Sequence, residues 1–586
     1  MLAASAAIGL SGAFRHARAG PLRRVRPGDP AWPSPAQWDA LRQQTNGRLM
    51  AVRSPLTACK ATPGTCNALF KGLKNPYYIG DEPGLAQTTG WLDAWGFQPS
   101  AYVLPADSAA DVAAAVNFAR ENNLRLVVKG GGHDYMGRSS APDSLMIWTR
   151  RMNGIVLRDD FVATGCSDAP QPAVSVGAGG IWGRFYDTVA TKGGRYVQGG
   201  GCMTVGVAGL VQGGGFGSHS KEFGTGAAGL LEAEIVTADG TVRIANACTN
   251  PDLYWGLKAG GGGSLGVVTR LTLKTHDLPS FIGVAFATIQ ARNTDAFQRL
   301  VRRFVAFYGG NLFNRHWGES VTLRLGNRMD IRMVFQGIEP AAAEATWRPF
   351  LEGVTGEFTF VQQPLIRGGA ARLAWDRPFL NTALPGALLN DDRPGAPADN
   401  VFWAGNLAEA GHYIFAYQSI WLPTALLQGE QESRLADALT EASRHAPVEL
   451  HFNKGLAGGS PDAIAATRET AMNPQVCDAF VLAIIGGESP PAFTGVPGHE
   501  PNVATGHRDS AQVTRAMAEL KRLAPDAGCY FAESDFFEPN WQKSYWGTNY
   551  PRLLDVKRKY DPEGLFVVHH GVGSEDWSED GFERRA

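Results

Sequence analysis

From Pro99 onward, apolar and polar positions along the chain fall into regular periods. Val112, Val116 and Ala119 recur at helical spacing. Ser108 and Asp111 stand at capping-box spacing just before them, so a helix is predicted running toward Asn122. Leu124 to Val128 is a β-type run that leads straight into Gly130-Gly131-Gly132-His133. His133 is thereby placed at the carboxyl end of a strand, where α/β sheets commonly hold ligands. Farther on, Val205 to Gln212 reads as a short helix of small residues and Leu231 to Ala238 as a strand. Asp239-Gly240 is a hairpin signal, Asp252 to Lys258 is helical, and Val267 to Leu273 is a β-branched strand.

The pattern changes near Pro279. Long apolar runs such as Phe281 to Ile289 and Tyr413 to Trp421 alternate with helical stretches around 294–308 and 508–524. This mixture predicts an α+β unit on a largely antiparallel sheet. Tyr545 to Phe566 reads as a closing helix that returns to the first domain. With 586 residues, the chain exceeds one ordinary core, and two domains are expected. The expected divisions are an N-terminal arm at 20–97, a first domain at 98–278, a second at 279–539 and a closing segment at 540–586. A net charge of −2 offers no electrostatic footprint for nucleic acid. Leu2 to Phe14 is apolar and precedes Ala17-Arg18-Ala19, an A-x-A cleavage pattern. Residues 1–19 are therefore expected to be an export signal too short to span a membrane, and the protein is expected to be periplasmic or secreted. Cys59 and Cys66 bracket Pro63-Gly64 as a local bridge. Cys166–Cys248 and Cys477–Cys529 are further pairings, with buried free thiols the alternative.

Two glycine-flanked segments carry the candidate chemistry. Gly130-Gly131-Gly132-His133 and Gly201-Cys202-x-Thr204-Val205-Gly206 each place a nucleophile where bare backbone approaches a flat ligand. Such a pair suits covalent attachment of a cofactor at two points. Gly261-x-Gly263-x-x-Gly266 matches a dinucleotide fingerprint formally. A helix precedes it and a strand follows, the reverse of what that fingerprint requires. No glycine loop ends in Gly-Lys-Ser/Thr. His569-His570 is the one tempting metal pair; adjacent side chains are expected to point apart, so no metal is expected.

The ordered motifs resemble the berberine-bridge-enzyme-like flavin oxidases of the vanillyl-alcohol-oxidase family. Gly131-Gly132-His133-x-Tyr135 is similar to the group's histidyl-flavin motif, and Gly201-Cys202-x-Thr204-Val205-Gly206 to its cysteinyl-flavin motif. Gly213 to Gly217, Asp252 to Trp255, Gly260 to Val268 and Tyr545-Trp546-Gly547-x-Asn549-Tyr550 follow in the family's order. The resemblance implies a two-domain, PCMH-type FAD-binding fold with FAD in 98–278. It also implies FAD joined to His133 through the 8α-methyl and to Cys202 through C6. Around the cofactor it places Lys129, the glycines 130–132, Thr204, Val205, Gly206, Gly214, Gly215, Gly266, Val267, Val268, Tyr545 and Asn549. Val205 stands where the family lines oxygen access, which favours an oxidase. Tyr135 is implied to position substrate or, with a depressed pKa, to act as base. Glu533 and Asp535, on a strand-like run whose alternation puts both on one face, are further catalytic candidates. Lys129 replaces a common arginine, and Trp148 a usual aspartate. The activity expected is hydride transfer from an alcohol or sugar-like hydroxyl to FAD, with dioxygen reduced to hydrogen peroxide. Oxidative cyclisation of a natural product and a dehydrogenase with another electron acceptor are the alternatives.

Overall fold

The computed structural model describes residues 22–61 and 66–585. The expected export segment and the Pro63-Gly64 turn lie outside the described residues. Among the described residues, the three larger sheets have four, five and nine strands.

The four-stranded sheet holds Tyr102–Pro105, Ser144–Trp148 and Arg125–Lys129 in parallel, with Met50–Ala51 antiparallel at the edge. Helix Ala109–Glu121 packs on it. Its capping box forms as the spacing predicts, Ser108 Oγ accepting from the Asp111 N–H and the Asp111 carboxylate from the Ser108 N–H. Val112, Val116 and Ala119 then join Leu104, Leu126 and Ile147 in one apolar cluster. The five-stranded sheet is antiparallel and runs Val242–Asn246, Leu230–Val236, Val267–Lys274, Gln171–Gly177, Ile155–Phe161.

The nine-stranded sheet runs from Phe358–Ala370 at one edge, through Phe281–Ala291 and Ala479–Ser489, to Trp95–Gly96 at the other, and is antiparallel except beside that last strand. There Thr88–Trp91 pairs in parallel with His412–Pro423. Helices Thr294–Phe307, Glu430–Ala442 and Val503–Leu523 cover one face. Phe297, Leu300, Phe304, Leu439 and Met517 meet Ile289, Ile331 and Val481 there in the largest core of the molecule. The opposite face is left to line a cavity. The chain is thus α+β, with the largely antiparallel second sheet expected.

Three local readings are corrected. Tyr545 to Phe566 is not one helix: Gly547 adopts φ +54° and separates Trp541–Trp546 from Tyr550–Tyr560. Tyr530 to Asp535 is a tight turn rather than a strand, because the Glu533 N–H bonds back to the Tyr530 carbonyl at 2.9 Å. Alternation therefore does not apply to Glu533 and Asp535. His569 and His570 do not point apart: His570 takes φ +49° and the rings stack at 3.9 Å. Cys59–Cys66 and Cys166–Cys248 are disulfides. Cys477 and Cys529 remain free thiols, because they are buried in two different apolar clusters. No helix among the described residues is long and apolar enough to cross a membrane.

Phe304 is 1% exposed at the centre of the largest core. Phe304→Ala should lower the unfolding free energy by about 3–5 kcal/mol, read as a lower denaturant midpoint with an unchanged slope.

Candidate functional site

The strand Arg125–Lys129 ends inside the protein, and the chain turns sharply through Gly131 and Gly132. A Cβ on Gly131 would stand 3.0 Å from the Gly206 nitrogen, so the His133 loop and the Cys202 loop touch through bare backbone. Gly132 has φ +75°, and a Cβ there would meet Lys129 Cε at 2.9 Å. Both requirements exclude larger residues. The Lys129 ammonium itself donates to the Glu82 and Leu85 carbonyls beneath the loop. Burial lowers its pKa to about 7, against the pull of Glu82. The two residues that depart from the family pattern are cross-strand partners, Lys129 opposite Trp148, with the ammonium 5.8 Å from the indole.

Both loops open into one cavity of about 1090 Å3. This exceeds the usual size of a single small-ligand pocket. His133 and Cys202 are linked through one hydroxyl: Thr204 Oγ1 lies 3.1 Å from His133 Nε2 and 3.7 Å from Cys202 Sγ. Gln87 Nε2 also meets His133 Nε2, at 2.9 Å. Burial, then Arg150 and His412, depress His133 to about 3, so its imidazole is neutral and nucleophilic. Burial, then Glu409, pushes the Cys202 thiol up to about 11 against hydrogen bonds from Thr204. Cys202 must lose a proton before its sulfur can react.

Of the residues expected at the cofactor, Gly130, Gly131, Gly132, Gly201, Val205, Gly206, Gly266 and Val268 line this cavity with His133 and Cys202. Lys129, Thr204, Gly214, Gly215 and Val267 stand outside its lining. Tyr545 and Asn549 are placed elsewhere, and the structure does not bring them to the wall. Tyr545 accepts a hydrogen bond from Ser534, and Asn549 donates to the Met472 carbonyl at 2.7 Å. Gly209 and Gly262 expose backbone with nothing within 4 Å of a would-be Cβ. A cradle of bare glycine backbone in a cavity of this size fits a large, flat cofactor.

The nine-stranded sheet supplies the other wall. Tyr135 and Tyr417 stand with ring centroids 5.2 Å apart, and Tyr135 meets the His412 ring edge-on at 5.3 Å. Burial, then Glu409 and Glu533, holds Tyr135 well above its ordinary pKa. That is the opposite of the depression a tyrosinate base requires, so the Tyr135 hydroxyl stays protonated. Glu533 lines the cavity but is paired with Lys454, whose Nζ lies 2.5 Å from one carboxylate oxygen. Asp535 is outside the lining and accepts from Gln418 Nε2 at 2.7 Å. Sequence reasoning missed Glu409, a half-buried carboxylate on the cavity wall. Burial, then Glu488, Glu533 and Glu449, raises it to about 7 against Lys454. It lies in a loop with no periodicity to mark it. Tyr417, also missed, sat in a recognised strand whose period of two would have grouped it with Ser419 and Trp421.

Comparison with known proteins agrees with this geometry. Residues 99–246 match the FAD binding domain family and 529–573 the berberine and berberine-like family. The chain is 30% identical to the FAD-linked oxidoreductase malF of Malbranchea aurantiaca, over 96% of this chain and 94% of that protein. The chain belongs to the berberine-bridge-like FAD-linked oxidoreductases of the vanillyl-alcohol-oxidase family. The VAO-type flavoprotein MtVAO615 of Myceliophthora thermophila C1 superposes with a TM-score of 0.76 at 26% identity, covering 96% of this chain and 100% of its own. Glucooligosaccharide oxidase from Acremonium strictum, described with 6-S-cysteinyl, 8α-N1-histidyl FAD, shares the fold with a TM-score of 0.63 at 21% identity. That match covers 81% of this chain and 92% of the other. This FAD-linked oxidoreductase therefore has its two glycine loops inside the matched FAD-binding region, and Glu533 inside the matched berberine-like region.

Gly132→Ala forces a left-handed residue against the buried Lys129 stem. It should cost roughly 1–3 kcal/mol, read as a lower melting temperature with less flavin retained after gel filtration.

Proposed function

We propose that this FAD-dependent oxidoreductase is an oxidase that holds FAD by two covalent bonds, to His133 and to Cys202, and oxidises an alcohol or sugar-like hydroxyl. The observation that carries the reading is the Thr204 hydroxyl within reach of both nucleophiles on the wall of one glycine-lined cavity. When bound, FAD accepts a hydride from substrate carbon and passes the electrons to dioxygen, giving hydrogen peroxide. The protein's residues do the rest. The neutral His133 ring and the Cys202 sulfur anchor the cofactor. Tyr135 and Tyr417 present hydroxyl donors to the substrate oxygen. Glu409 takes the hydroxyl proton, since a carboxylate held near 7 both accepts and releases protons at neutral pH. Lys454 pairs with Glu533 and offsets part of the negative charge at that end of the cavity.

The polar groups Ser320, Arg332 and His451 on the sheet wall suit a ligand rich in hydroxyls. The oligosaccharide oxidases among the structural relatives are in keeping with that class. Val205 lies on the cavity wall, where a small side chain leaves room for dioxygen. The two disulfides support function in an oxidising compartment after export.

Protein precipitated with acid should stay yellow, and peroxide should form in air with a member of an alcohol and sugar panel. A colourless pellet overturns the double attachment. Peroxide absent with every substrate that bleaches the flavin would mark a dehydrogenase instead. The Glu409 assignment predicts kcat/KM that rises with pH through about 7, as the carboxylate ionises. Glu409→Gln should lower kcat by about 100- to 10,000-fold while leaving both flavin linkages intact.

A further inference from the structure

Gln87 belongs to no motif and lies in an irregular stretch ahead of both glycine loops, yet it reaches His133. Its main-chain N–H donates to the Gly132 carbonyl at 3.3 Å, and its side-chain amide meets His133 Nε2 at 2.9 Å. The residue is 3% exposed, and its Oε1 has no partner among the described residues. Thr204 Oγ1 takes a second position on the same nitrogen. No hydrogen bond engages His133 Nδ1 among the described residues, so that nitrogen is left to react.

We propose that Gln87 is a positioning residue for flavin attachment: it pins His133 through Nε2 so that Nδ1 forms the bond, and its amide turns over as Nε2 changes from donor to acceptor. This rests on the attachment at His133 proposed above.

The chemistry demands such a change. A nucleophilic Nδ1 has a free lone pair, so before the bond forms Nε2 carries the proton and needs an acceptor. The amide oxygen of Gln87 supplies it once the amide, which presents its nitrogen to His133 in the structure, is turned over. Once Nδ1 is bonded to carbon, Nε2 of the neutral ring keeps only a lone pair and needs a donor. The amide N–H of Gln87 then supplies that. The new C–N bond replaces one C–H bond of the methyl group and the ring N–H. The two hydrogens, with two electrons, pass to the isoalloxazine and on to dioxygen. Because Gln87 Oε1 has no other partner, a half-turn of the amide breaks no hydrogen bond on its far side. The Thr204 hydroxyl, donor and acceptor at once, follows the same change without moving.

Trypsin separates the two attachment points into Gly130–Arg138 and Tyr196–Lys221, which a doubly linked flavin holds together. Wild-type protein should yield this cross-linked pair by mass spectrometry. Gln87→Leu, close in shape but without either polar atom, should lower the His133-linked fraction about tenfold, the worth of one orienting hydrogen bond. It should leave flavin on the Cys202 peptide. Gln87→Glu keeps an acceptor for Nε2–H and should restore the cross-link. A Gln87→Leu protein cross-linked to the wild-type extent overturns the proposal. So does equal loss of both linkages in the two variants, which would mark a general structural role. An unmodified Gly130–Arg138 peptide from wild-type protein overturns the attachment itself, an outcome distinct from either.

Discussion

The site depends on the approach of two stretches of bare backbone. Gly131 lies so close to the Gly206 amide that a single methyl group would fill the gap. This contact sets the imidazole and the thiol on one wall, and Thr204 alone spans them. It also explains the burial of charge nearby. Lys129 sits under the turn, its ammonium bonded to the Glu82 and Leu85 carbonyls. The low dielectric around it then keeps His133 uncharged and able to act as a nucleophile.

The second wall is organised by repulsion. Glu409 is raised by burial first and then by three other carboxylates, with Lys454 the opposing cation among its named influences. Lys454 is committed to Glu533, so its help is shared. The two carboxylates therefore differ: Glu533 is paired with an ammonium, and Glu409 is raised to about 7. Tyr135 and Tyr417 are shifted upward as well, by burial first and then by these carboxylates, and stay protonated.

Much of this was legible in the residues because it follows periodic or conformational rules. The capping box at Ser108, the strand into Gly130 and the hairpin at Asp239 each rest on local physics, and local physics decided them. The glycine-flanked His133 and Cys202 were visible because such spacing has few other uses. The readings that failed did so where tertiary contacts override pattern. The turn at Tyr530 looked like a strand because its apolar and acidic residues alternate, but one backbone hydrogen bond closed it. Cys477 and Cys529 made an even count that their separate clusters do not honour. Gln87 and Glu409 sit in irregular segments and gain their roles only from what lies across the cavity, which no single stretch of sequence contains.

The short run from Leu85 to Thr89 touches both halves of the molecule at once. Leu85 receives Lys129, Gln87 holds the loop of His133, and Thr88 and Thr89 bond His412 at the margin of the large sheet. This run ties the His133 loop to the nine-stranded sheet. Parting the loop from that sheet would therefore disturb the hydrogen bond that orients the imidazole itself.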